Sequence, residues 1–62
     1  MYCIWTHGED PAIWAEENAN TIGFDYSANN VSADSIVVWP HGVSDEEFED
    51  ILNDLGLDYD RV

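Results

Sequence analysis

The chain carries fourteen acidic residues against one base, Arg61, and no lysine, so its 62 residues hold a formal net charge of −13. That balance excludes nucleic acid and anionic membrane surfaces as partners and favours basic protein surfaces or cations. A lone cysteine, Cys3, excludes an internal disulfide and fits a reducing compartment, and the length is near the lower limit at which a hydrophobic core folds unaided.

Residues 2–6, rich in aromatic and branched side chains, predict a short strand. Gly8 ends it, and Asp10 followed by Pro11 marks a helix start, with a carboxylate N-cap and proline at the first helical position. Ala12, Ala15, Ala19 and Ile22 recur at helical spacing with Trp14 beside them, and Gly23 is the expected C-cap. Residues 24–27 predict a second strand, and Asn29 with Asn30 suits a turn, the alternative being a loop that extends through Val31 to Asp34.

Residues 36–39 are the clearest strand of the chain, closed by Pro40 and Gly42. Ser44 and Glu47 form the S-x-x-E capping box, with Val43 and Phe48 at the hydrophobic-staple positions. Phe48, Ile51, Leu52 and Leu55 then give an apolar stripe, and Gly56 caps the helix. In the last segment Leu57, Tyr59 and Arg61 alternate with Asp58 and Asp60, as in a strand.

One pattern occurs twice: Trp5, His7, Gly8 with Gly23, Phe24, Asp25, Tyr26, and then Trp39, His41, Gly42 with Gly56, Leu57, Asp58, Tyr59. It implies one domain over 1–62 built from two copies of a supersecondary unit, roughly 1–28 and 35–62. The order β-α-β-β-α-β in two interleaved halves resembles the ferredoxin-like superfold. That resemblance implies an α+β fold with a four-stranded antiparallel sheet and both helices on one face. Strand alternation places Cys3 with Trp5, Val37 with Trp39, and Asp58 with Asp60 on common faces. A superfold of this kind hosts many activities, so function is argued from side chains.

Because the first and third strands are antiparallel neighbours in this arrangement, His7 and His41 emerge at opposite ends and do not share a zinc ion. They read as strand-end turns. No calcium-loop pattern is present, and no metal or cofactor is expected. Catalytic carboxylates need a shielded pocket that separates their pKa values, whereas these acids lie on a helix face and the following strand, so no enzyme is expected.

Eight acids and no base fill the stretch from Asp45 to Asp60. Asp45, Glu46 and Glu47 fall in the first helical turn, where the helix dipole favours negative charge by roughly 0.3–1 kcal/mol each. Glu46 with Asp50, and Asp50 with Asp54, are like-charge pairs one turn apart, each costing roughly 0.2–0.5 kcal/mol. No lysine offsets them. Neighbours on a helix surface are about 5–6 Å apart and alternate strand residues about 6.6–6.8 Å, the same order as successive phosphates on a nucleic-acid strand. Such a row attracts the Lys/Arg grooves that hold DNA or RNA.

The expected partner-binding residues are therefore Glu46, Glu47, Glu49, Asp50, Asp54, Asp58 and Asp60, with Glu16, Glu17 and Asp25 as a weaker patch from the first repeat. Charge reversal at Glu49 and Asp50 is expected to remove binding and leave the fold intact. In size, charge and lack of catalytic features the chain is similar to the small acidic phage proteins that block host defence, the anti-CRISPR and anti-restriction inhibitors. That resemblance implies a non-enzymatic DNA mimic, monomeric or weakly dimeric, that occludes the groove of a basic nucleic-acid-binding protein. Two other readings share the composition: an antitoxin-like acidic regulatory partner, and a haloarchaeal domain whose carboxylates hold water in molar salt. With no basic N-terminal region before an apolar run, and no stretch near the ~20 apolar residues of a membrane span, a cytoplasmic location is expected.

Overall fold

The computed structural model describes residues 1–62. The elements run β1 (Tyr2–Trp5), α1 (Pro11–Asn18), a π-helical turn (Ala19–Gly23), β2 (Phe24–Val31), β3 (Ser35–Pro40), α2 (Asp45–Asp54) and β4 (Asp58–Arg61). All three strand pairings are antiparallel and the sheet order is β2-β3-β1-β4. This is the split βαββαβ arrangement of a ferredoxin-like domain: each half contributes one central and one edge strand, and each edge strand pairs with the other half.

Alternation along the strands decides which side the helices cover. Tyr2, Ile4, Phe24, Ile36 and Val38 are buried beneath them, and Cys3, Trp5, Asp25, Val37 and Trp39 face the other way. Trp14 of α1 stacks on Phe24 with ring centroids 5.5 Å apart, and Phe48 of α2 lies 5.1 Å from Tyr2 and 6.1 Å from Phe24. Both helices therefore share one core. Phe48, Leu52, Ile4 and Ile36 are wholly shielded from solvent there.

The helix ends follow their local chemistry. Asp10 accepts from the Ala12 amide at 2.9 Å and Ser44 Oγ from the Glu47 amide at 3.2 Å, so each helix start has a side-chain cap. At the end of α2 the amide of Gly56 donates to Asn53 and that of Leu57 to Leu52, the Schellman pattern, with Gly56 at a φ of +71°. The first half repeats the longer of these bonds, from the Phe24 amide to the Ala19 carbonyl.

Three local expectations are corrected. Asn29 and Asn30 do not form the reversal: β2 continues to Val31, and residues 27–30 bulge opposite Val37 alone. Tyr26 and Val31 both pack on the core and hold β2 to the sheet on either side of that bulge, so the chain turns at residues 32–34 instead. Ala12 is exposed, because Pro11 and the large Trp14 ring take the inward positions of α1. Leu55 is also exposed, because α2 has already ended and Leu57 packs on the core in its place.

Candidate functional site

The face of the sheet without helices carries a distinct pattern. Cross-strand partners place Val37 beside Cys3 and Ser35 beside Trp5 on the two central strands. Asp58 and Asp60 flank Trp5 and Cys3 from β4, and Asp25 flanks Trp39 from β2. An apolar strip along β3 and β1 is thus edged by carboxylates. Four-stranded sheets that bind single-stranded RNA also carry aromatic residues on their exposed face, where bases stack on them. Here the flanking acids repel the phosphates that such binding requires.

The duplicated motif closes on itself across the halves. His7 Nε2 lies 2.9 Å from Asp58 Oδ2, and His41 Nδ1 lies 3.5 Å from Asp25 Oδ2. Each histidine meets the aspartate of the other repeat because the edge strands are exchanged. The result is two Trp–Asp–His corners at opposite ends of the sheet: Trp5 with Asp58 and His7, and Trp39 with Asp25 and His41. No three His, Cys, Asp or Glu side chains converge to hold a metal ion.

The corners are not equivalent. The Thr6 amide donates to the Asp34 carbonyl at 3.1 Å, and Thr6 Oγ1 donates to the Glu9 carbonyl at 2.6 Å. The first bond ties the end of β1 to the turn that follows β2, and the second closes the loop that follows β1. An open-mouthed cleft of about 540 Å³ results, lined by Trp5, His7, Gly8, Asp34 and Asp58. It is the only cleft in the molecule.

The acids expected to form one row divide between two layers. Glu46, Glu47, Asp50 and Asp54 are exposed on α2. Asp58 and Asp60 point to the opposite side of the sheet, since Tyr59 and Arg61, which alternate with them, reach back toward α2. The helix and strand acids thus lie on opposite sides of the sheet, and the α2 residues that face β4 are Asp45 and Glu49, which meet Arg61. The weaker patch divides likewise, with Glu16 and Glu17 exposed on α1 and Asp25 on the open face.

Glu49 stands apart from both rows. Its side chain is 30% exposed, and it accepts from Tyr2 Oη at 2.6 Å, Arg61 Nη2 at 2.7 Å and Tyr59 Oη at 3.3 Å. The Tyr2 hydrogen bond, against an opposing desolvation, followed by the Arg61 charge, holds the Glu49 carboxyl below its ordinary range. Burial, then the Glu49 carboxylate, pushes the Tyr2 phenol up. The Tyr2 oxygen in turn raises Arg61. Charge reversal at Glu49 would leave Arg61 facing a second cation and two phenols without their acceptor, so Glu49 serves the packing of β1, β4 and α2 as well as the surface charge. Arg61 also lies 3.6 Å from Asp45, an exposed pair that contributes little.

Glu9, absent from the expected set, is also perturbed. Desolvation and then the neighbouring Glu17 carboxylate raise its carboxyl above the ordinary range. No helix is long and apolar enough to cross a membrane. The chain matches no family model, no curated protein and no solved structure.

Proposed function

We propose that the chain is a non-enzymatic acidic inhibitor. It offers carboxylates in place of nucleic-acid phosphates and occludes the DNA-binding groove of a basic host-defence protein, a CRISPR interference complex or a restriction enzyme, in the cytoplasm. The observation that carries this reading is the placement of the one guanidinium. Arg61 is engaged by Glu49 and Tyr2 on the helix side of β4, and no lysine interrupts the carboxylates elsewhere on the surface. Trp5 and Trp39 on the open face supply the aromatic anchors that protein interfaces favour.

The test is capture on the tagged chain from nuclease-treated lysate at about 0.15 M salt, with elution by duplex DNA. Release of a discrete DNA-binding complex, retained less by an Asp50→Lys, Asp54→Lys double variant, supports the reading. A chain that captures nothing and folds only in molar salt refutes it and assigns the acidity to solvent adaptation.

A further inference from the structure

We propose that the cleft at the Trp5 corner is a receptor for a guanidinium group, an arginine side chain of the basic partner. The inference rests on the reading that the partner is basic and identifies which of its groups the open face takes. The cleft joins one aromatic ring, one imidazole, two carboxylates and a glycine. A guanidinium is planar, weakly hydrated and armed with a rigid fork of donors. It stacks on an indole while its N–H groups reach carboxylates, and its binding to carboxylate is bidentate where geometry allows. The space of about 540 Å³ accepts the head group with its methylene stem.

Each lining residue has a separate part. Trp5 supplies the stacking surface from β1. Asp58 is its direct cross-strand neighbour, and His7 on one oxygen of that carboxylate leaves the other oxygen for a ligand. Asp34 is brought alongside by the bond from the Thr6 amide to its carbonyl, and its carboxylate makes no hydrogen bond or ion pair of its own. Gly8, at a φ of +95°, leaves the rim open where a side chain would stand. The chain's own guanidinium is on the other face of the sheet, held by Glu49 and Tyr2. The Trp39 corner repeats the Trp, Asp and His but forms no cleft, which makes it a control within the same molecule.

The test is an NMR titration of the ¹⁵N-labelled chain with Nα-acetyl-arginine methylamide, in parallel with the lysine compound and the uncharged citrulline compound. The expected result is saturable shifts at the Trp5 indole N–H and at the amides of Gly8, Asp34 and Asp58. The citrulline compound leaves these signals in place, and Asp34→Asn weakens arginine binding roughly threefold to tenfold. Equal shifts at the Trp39 indole, equal affinity for the lysine compound, or no effect of Asp34→Asn overturns the assignment. The titration needs no partner, so its failure is distinct from a failure of capture. Arginine seated in the cleft of a chain that captures nothing overturns the inhibitor reading and upholds the cleft.

Discussion

Gly23 and Gly56 occupy equivalent positions after the two helices, and replacing each by alanine separates two costs that usually come together. Both have positive φ, +97° and +71°, where an L side chain costs about 1–2 kcal/mol. A Cβ at Gly56 meets nothing within 4 Å. A Cβ at Gly23 falls 2.9 Å from the His41 carbonyl oxygen, and that residue is fixed by its own amide, which donates to the Gly23 carbonyl at 2.8 Å. Backbone, unlike a flexible side chain, cannot swing aside, so the β2–β3 ladder must shift near Pro40. Gly56→Ala is therefore expected to cost about 1–2 kcal/mol, and Gly23→Ala roughly 2–4 kcal/mol once overpacking is added. In a domain of this size about 1 kcal/mol moves Tm by roughly 4–8 °C. Urea unfolding followed by tryptophan fluorescence measures both. Equal losses for the two variants would refute the argument that the two ends of the repeat are packed differently.

Four further outcomes follow from the packing and the charges. Phe48→Ala should remove about 3–5 kcal/mol, most of the total stability of a small domain, so the variant should lack a cooperative thermal transition. Glu49→Gln should lower Tm at neutral pH. Because the folded-state carboxyl is depressed, its contribution is present above the ordinary value of 4.5 and is lost as pH falls through the lowered one, so the variant's disadvantage should shrink in acid. Glu9→Gln should do the reverse. A raised carboxyl favours the fold below 4.5 and costs stability as pH rises through the folded value, so the variant should gain stability at pH 7 and none at pH 3. Asp50→Lys with Asp54→Lys should leave far-UV circular dichroism unchanged and raise Tm slightly, since it turns the repulsion between Glu46 and position 50, roughly 0.2–0.5 kcal/mol, into an attraction while positions 50 and 54 remain like-charged.

The architecture was legible because its punctuation is duplicated and local. Asp10 and Ser44 cap the helices, Gly23 and Gly56 end them, and alternating residues separate the two faces of the strands. What escaped the sequence depends on contacts between distant segments. Tyr2 meets Glu49 and Arg61 only because β1 pairs with β4, and those residues are 47 and 59 positions away. Glu49 therefore read as one more surface acid, although the solitary arginine beside an alternating Tyr59 was a weak pointer to an internal pair. The bulge in β2 likewise depends on Tyr26 and Val31 finding the same core, whereas Asn29 and Asn30 alone suggest a turn.

The crossed His–Asp pairs were within reach of sequence reasoning. Interleaved halves force each edge strand onto the partner repeat, so His7 must approach Asp58 and His41 must approach Asp25. The cleft was not legible, since it needs Asp34, a turn residue outside the repeat, to be drawn to the end of β1 by the Thr6 amide.

The central claim, that the carboxylates occupy a groove made for nucleic acid, is tested most directly by competition on the purified captured partner. The affinity of this chain for that partner is measured at increasing concentrations of duplex DNA. The account predicts mutually exclusive binding, with apparent affinity falling in proportion to DNA concentration and no ternary complex at saturation. A stable complex of partner, DNA and this chain together would contradict it.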